Sequence, residues 1–273
     1  MAIHKITPSS KDYLWGGTKL IETYGKETTQ DIMAESWEIS SHPDGPSYLE
    51  DGTTLIDYVS KDKAKILGTN ALRFEDFPIL IKFIDAKDVL SIQVHPDDEY
   101  ALKHENQYGK NEMWYILEAE PGASIYYGVN ETITKDDFRK AIEEDEILDV
   151  LNRVEVKPGD VIYVKAGTIH AIGKGIVLCE IQQNSNVTYR VYDFNRKDKD
   201  GQTRELHIEP SIEVSNLNKQ EVDFSAQGEK VVLDEATKQI LVKSEYFITE
   251  NYTLDGTVSF EVDETSFVAL ICL

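Results

Sequence analysis

The sequence predicts a mainly β protein, an antiparallel sandwich or barrel carrying short helical insertions. Three observations lead there. Short segments rich in β-branched and aromatic residues recur along the chain, several of them alternating apolar and polar positions. Turn signals separate them at a spacing of about 8–12 residues, the rhythm of antiparallel sandwiches and barrels. No regular alternation of strand and helix runs along the chain, which argues against a parallel sheet.

The run Trp15-Gly16-Gly17-Thr18-Lys19-Leu20 looks like a phosphate loop only superficially. It lacks the Gly-x4-Gly-Lys-Ser/Thr spacing and the preceding apolar strand, so no nucleotide site is assigned to it. Residues 35–40 alternate and predict a strand, and 42–47, with two prolines and a glycine, predict a loop. Residues 54–67 have helical spacing and stop at Gly68. Residues 79–86 are a β-branched apolar run with Lys82 in the middle, a lysine that either snorkels at a sheet edge or points into a functional cavity.

In the stretch 91–95, Ser91, Gln93 and His95 share one face of a strand and Ile92 and Val94 the other. The apolar pair can enter a core and the polar trio can line a cavity, or simply face solvent on an antiparallel strand. Pro96 ends the strand because it has no donor for the ladder. Residues 98–106 predict a helical turn or two, 112–117 and 123–129 a pair of strands turned by Pro121-Gly122, and 134–149 a second helical insertion. Strands are predicted on either side of Pro158-Gly159, at 175–182 and at 187–193. From residue 205 the chain reads as strand-like again, at 239–242, 247–252, 258–262 and 267–273. Residues 1–204 are therefore expected to form one domain, and 205–273 a second, smaller β domain. The latter is expected to be incomplete at its C-terminus, because the sequence stops inside an apolar strand pattern.

The 273 residues include 50 acidic and 28 basic side chains, for a net charge of −22. Such a chain repels nucleic acid and anionic membrane, so neither is expected as a partner. An anionic substrate would need a local basic cluster working against the overall field. Hydrophobic residues make up 41% and aromatic residues 10%, as in a globular protein. Cys179 and Cys272, both in apolar surroundings, predict buried free thiols and a reducing, cytoplasmic compartment. The N-terminal residues 1–5 lack a leader's apolar core, and no run of about 18 apolar residues occurs. The sequons at Asn130, Asn186 and Asn251 are read as chance matches.

Candidate metal ligands are Gln93, His95, Glu112 and His170. Two imidazoles and a carboxylate are a protein set that zinc accepts while keeping a position open, and Gln93 can add an amide oxygen. The spacing is too long for a local metal motif. The context is better, since Glu112 and His170 each begin a strand. His4, His42, His104 and His207 are assigned to surface or loop. Lys82, Lys110 and Arg190 sit on or beside the same strands. They supply either a local anion pocket or ordinary ion pairs with the plentiful carboxylates.

Taken together, several segments resemble the type I mannose-6-phosphate isomerases (phosphomannose isomerases) in their short bacterial form. They are Leu14-Trp15-Gly16-Gly17, Glu35-Ser36-Trp37-Glu38-Ile39-Ser40, Leu80-Ile81-Lys82, Leu90-Ser91-Ile92-Gln93-Val94-His95-Pro96 and Lys110-Asn111-Glu112-Met113, then Pro158-Gly159-Asp160 through His170-Ala171, and Glu180 through Arg190. Matching order and spacing extend over residues 14–196, and the set together is specific where each alone is not. The chain departs from the family in reading Lys-Asn-Glu for Lys-Pro-Glu at 110–112, and Lys165 where the cupin turn usually has proline. The large helical domain of the longer members is absent.

The resemblance implies a cupin-type antiparallel β-barrel or jelly roll, catalytic over residues 1–204 with helical insertions near 54–67 and 134–149. It implies a second cupin-like domain over 205–273. It implies one zinc per chain on the positions Gln93, His95, Glu112 and His170, and an active-site arginine at Arg190. Lys82, Lys110 and Glu180 fall in the same pocket, with Trp15 and Ser91 as further substrate contacts. The implied reaction interconverts mannose 6-phosphate and fructose 6-phosphate through a cis-enediol. Its proton shuttle needs a pKa near neutral, and Lys110 is the first candidate and Glu180 the second. A monomer or weak dimer is expected. Two other classes stay open: an Fe(II) cupin dioxygenase and a non-catalytic sugar-binding cupin. The first has no use for a phosphate pocket; a turnover assay with mannose 6-phosphate separates the second.

Overall fold

The computed structural model describes residues 3–197 and 200–273, so the first two residues of the 1–5 stretch read above lie outside it. In chain order the strands are β1 (Ser9–Lys11), β2 (Glu35–Ile39), β3 (Ile79–Ala86), β4 (Ile92–Val94), β5 (Glu112–Ala119), β6 (Ser124–Val129) and β7 (Leu151–Glu155). They continue as β8 (Val161–Val164), β9 (His170–Ile172), β10 (Ile176–Gln183), β11 (Tyr189–Tyr192), β12 (Lys230–Val232), β13 (Ala236–Lys243) and β14 (Ile248–Leu254). The helices are α1 (Lys19–Glu22), α2 (Leu55–Ser60), α3 (Lys63–Leu67), α4 (Asp98–His104), α5 (Lys135–Glu143) and α6 (Ile208–Val214). None of the described helices is long and apolar enough to cross a membrane.

Every strand pairing is antiparallel. One sheet has the order β1-β2-β3-β10-β5-β8 and a second the order β11-β4-β9-β6-β7. Their inner faces pack on each other through Ile84, Trp114, Ile116, Ile162 and Leu178 from the first and Ile125 and Ile172 from the second. This is the cupin-type barrel expected from the sequence.

The first sheet is buried on both sides, which is why β3 and β10 are nearly continuous apolar runs. On β3 the inner face carries Lys82, Ile84 and Ala86, while Ile79, Ile81 and Phe83 face an outer core. On β10 Val177, Cys179 and Ile181 face that same outer core, leaving Glu180 to the other side. Since β3 lies between β2 and β10, Lys82 cannot snorkel at an edge.

The two helical insertions appear where the spacing placed them. The Thr54 side chain accepts a hydrogen bond from the Asp57 N–H at 3.1 Å and starts α2. Gly68 closes α3 with φ +84°, and any Cβ there would run into the backbone of Thr265 and Ser266. The second insertion opens with a capping box of Thr134 and Asp137 and packs Phe138, Ala141 and Ile142 onto the outer face of the second sheet. There they meet Ile92 and Val94, the apolar pair of the 91–95 stretch.

Beyond residue 205 two expectations need correction. The segment opens with a helix, α6, whose Ile212 packs with the second sheet; α6 carries Pro210 early, where a helix tolerates it. Residues 258–262 and 267–273 are not strands. The 267–273 stretch keeps the alternation, with Phe267, Ala269 and Ile271 packed inward and Val268 and Leu270 exposed. It pairs with none of the described strands, and the third sheet is β12-β13-β14 alone. It lies instead across the 68–77 segment, where Thr69 and Asn70 N–H groups donate to the Glu264 and Thr265 carbonyls at 2.9 Å and Phe77 meets Phe267. Leu241, Val242 and Phe247 join the same outer core as β3 and β10. Cys179 is buried as expected, but Cys272 is exposed.

Candidate active site

The barrel axis collects polar side chains from both sheets. Glu112 begins β5, His170 begins β9, and His95 follows β4 just before Pro96; all three are buried. Their ligand atoms lie within 4.8 Å of one another. Glu112 Oε2 is 3.4 Å from His95 Nε2, and Glu112 Oε1 is 3.4 Å from His170 Nε2.

Both imidazoles are fixed from behind. His95 Nδ1 lies 2.9 Å from the Val187 carbonyl and His170 Nδ1 lies 2.8 Å from the Thr168 carbonyl. A carbonyl only accepts, so each Nδ1 carries the proton and each Nε2 presents a lone pair toward Glu112. Burial, reinforced by the Lys110 ammonium, pushes His95 down to about 3, and burial also lowers His170. Both rings are therefore neutral, the form that binds metal.

Burial alone would raise the Glu112 pKa. The cationic Lys110 outweighs it and holds the carboxyl well below its usual range. Lys110 Nζ sits 2.7 Å from Glu112 Oε2, yet neither Glu112 oxygen accepts a well-aligned hydrogen bond. An ionised, buried, poorly satisfied carboxylate between two imidazole lone pairs fits a divalent cation such as zinc. Gln93 is placed differently. Its Nε2 lies 3.3 Å from His170 Nε2, so its amide donates to that ring, and its oxygen would face the cluster only after the amide turned over.

Above this cluster opens a pocket of about 290 Å³. Trp15, Lys82, Ser91, Gln93, Lys110, Glu180 and Arg190, all singled out from the sequence, line it. His95, Glu112 and His170 lie beneath. Lys82 Nζ is 3.3 Å from Glu180 Oε1 and 3.6 Å from Glu35 Oε2. Burial disfavours the Lys82 ammonium, but Glu35, Glu180 and Glu112 overcome it and raise its pKa above the usual lysine value. Glu180 is pushed up by burial and by Glu112, against the pull of Lys110 and Lys82. Its Oε2 accepts from Trp114 Nε1 at 2.9 Å, and its Oε1 is 3.9 Å from Lys110 Nζ.

Arg190 stands on β11 in register with Gln93 on β4, and its Nη1 donates to the Glu205 carbonyl at 2.8 Å. His207, assigned to surface or loop, supports this strand by accepting from the Arg190 N–H at 3.0 Å. The Gly16-Gly17 turn proves to be a close-packing device. A Cβ at Gly16 would strike Ala34 and one at Gly17 the Asp85 carboxylate, which accepts from the Lys19 N–H at 2.8 Å. The turn places Trp15 against the pocket. Asn111, one of the two departures, is tied to the residue after the other, Lys165, since Asn111 Oδ1 accepts from the Ala166 N–H at 3.0 Å.

Sequence reading missed Tyr13, Glu35 and Arg204, which also line the pocket. Glu35 had a usable signal, because alternation puts it on one face with Trp37, whose Nε1 donates to it at 2.6 Å. Arg204 had none; it follows β11 in a loop.

Residues 3–122 match the family model of the phosphomannose isomerase type I catalytic domain. The mannose-6-phosphate isomerase of Streptococcus mutans is 39% identical over 251 residues, which span 91% of this chain and 78% of that protein. The crystal structure of the mannose 6-phosphate isomerase from Bacillus subtilis matches with a TM-score of 0.86 at 34% identity, covering 94% of this chain and 81% of that one. A mannose 6-phosphate isomerase bound with zinc and yttrium shares the fold, with a TM-score of 0.65 at 19% identity over 90% of this chain and 82% of its own. With relatives this similar over most of their length, the chain belongs to the type I phosphomannose isomerase family and is an isomerase.

Proposed function

We propose that the protein is a zinc-dependent aldose–ketose isomerase that interconverts mannose 6-phosphate and fructose 6-phosphate in the cytoplasm. Residues 1–204 carry the chemistry in this reading, and residues 205–273 form a second, smaller β unit. The observation that carries it is the meeting of two imidazole Nε2 lone pairs on the poorly satisfied Glu112 carboxylate, at the floor of a pocket rimmed by cations.

His95, Glu112 and His170 would hold the zinc, with Gln93 as a fourth ligand once its amide is turned. Bound there, zinc supplies Lewis-acid stabilisation of negative charge on a substrate oxygen. The chain's own groups do the rest. Isomerisation removes a proton from the carbon beside the carbonyl, passes through a cis-enediol, and returns a proton to the neighbouring carbon. Lys110, within reach of both Glu112 and Glu180, is the first candidate for moving that proton. Glu180, held by Trp114, is the second. Arg190 adds positive charge beside Gln93, where an anionic enediolate would need it. Lys82 and Ser91 face the sugar, and Trp15 forms a wall.

A coupled assay with mannose 6-phosphate on metal-stripped and zinc-loaded protein tests the reading. Turnover is expected only with the metal restored. Undiminished turnover in demonstrably metal-free protein would remove zinc from the reaction, and no turnover in either form would overturn the isomerase assignment.

A further inference from the structure

The cations of the pocket are not equivalent. Lys82 and Lys110 lie among Glu35, Glu112 and Glu180, so carboxylates outnumber ammonium groups at the inner end. The outer end has the opposite balance. Two guanidinium groups, from Arg196 and Arg204, bond one buried carboxylate, Asp193, and Arg190 is near enough to feel all three charges. Asp193 accepts from Arg204 Nε at 2.7 Å and Nη2 at 2.5 Å, and from Arg196 Nε at 3.2 Å and Nη2 at 2.5 Å. Among the described residues of this cluster, two positive charges are left over, the complement of a phosphate monoester near neutral pH. The other acid beside Arg190, Glu205, is exposed, so solvent weakens its field.

Of the three arginines, Arg190 and Arg204 line the pocket, whereas Arg196 turns its Nη1 to the Val89 carbonyl. Asp193 grips Arg204 side-on, by the Nε–Nη2 edge, which fixes the plane of the guanidinium; Nη1 takes no part in that pair. Arg190 Nε is buried without a hydrogen-bond partner among the described residues. Fixed guanidinium donors of this kind match phosphate oxygens in geometry and charge, and their prior fixation lowers the entropy lost on binding.

We propose that Arg204, held in place by Asp193, is the specificity-determining residue that anchors the substrate's phosphate at the outer end of the pocket. Asp193 is a positioning residue that acts through Arg204. The assignment rests on the isomerase reading above for the identity of the phosphate ester, but not for the existence of an anion site.

Arg204→Met is expected to raise KM for mannose 6-phosphate about 10- to 100-fold, the loss of one charge-assisted contact. The change in kcat should be much smaller, because the contact is made in ground and transition state alike. Arg204→Lys should recover part of the loss, and Asp193→Asn should raise KM by a smaller factor. Circular dichroism and thermal unfolding establish that each variant is folded. Calorimetric titration with inorganic phosphate gives a readout independent of turnover: wild-type protein binds, and Arg204→Met binds more weakly by a similar factor. An unchanged KM, a fall in kcat at constant KM, equal phosphate binding in the two proteins, or none in the wild type would overturn the anchor. Wild-type protein that bound phosphate through Arg204 yet failed to turn over mannose 6-phosphate would refute the isomerase reading and leave the anchor standing.

Discussion

The inner end of the pocket is floored by His95, Glu112 and His170 and walled by Lys82 and Glu180, all buried and nearly all on regular strands. The outer end is rimmed by Arg190, half-buried on the short β11, and by Arg204 in the loop beyond it. Inside, acids outnumber bases and each charge is held by others at short range. Outside, bases outnumber acids and solvent is close. The difference assigns tasks by environment. A dry, compensated cluster is suited to holding a metal and moving protons, where the low dielectric strengthens every interaction. A wet, uncompensated one is suited to attracting and seating an anion on a chain of net charge −22.

Removing Glu112 should break the inner end most completely. Glu112→Ala is expected to reduce bound zinc to near zero and turnover by more than the roughly 10- to 100-fold cost of losing a mere supporting partner. Metal analysis beside the coupled assay checks both. Arg190→Ala should leave the fold and bound metal intact and lower kcat by about 100- to 1,000-fold, as for the loss of one preorganised oxyanion donor. A near-normal kcat would reduce Arg190 to a structural role.

Lys82→Met tests whether compensation is what keeps the inner end stable. It leaves Glu35 and Glu180 facing each other in a buried site without their shared cation. The expected loss is about 3–5 kcal/mol in chemical denaturation, and adding Glu35→Gln should restore part of it. Arg139→Gln, which removes an ion pair to Glu209 out in solvent, should leave the denaturation midpoint nearly unchanged.

A separate effect is a slope with pH in metal-free protein. His95 titrates near 6.5 when unfolded and is held down to about 3 when folded. Between those values the unfolded chain binds the extra proton, so stability falls as pH drops through that window. The depressed Glu112 acts in the same direction below its ordinary value of 4.5. Denaturant midpoints from pH 7 to 4 should show the decline, and His95→Gln should flatten it. A slope unchanged by that substitution would assign the effect to other groups.

The same contrast explains what was legible in the sequence. Residues on regular strands announce their direction by alternation, so Gln93 and His95 could be placed on one face opposite Ile92 and Val94. Glu112 and His170 could be flagged because each begins a strand. Arg204 follows no period and acquires its place only through Asp193, a tertiary contact. Alternation also misleads when it stands alone. Phe267, Ala269 and Ile271 bury one face as a strand would, yet the segment pairs with no described strand and packs across residues 68–77 instead. The helix α6 was hidden because its few turns, with Pro210 near the start, resemble loop chemistry.

The atoms that aim the two imidazoles belong to the main chain, the carbonyls of Val187 and Thr168. Every residue type that leaves the local backbone path intact supplies the same acceptor. Those two positions can therefore change identity over generations while His95 and His170 keep their tautomer and aim. The orientation of the floor is inherited through the path of the chain, and lineages can vary the side chains behind it without re-inventing the site.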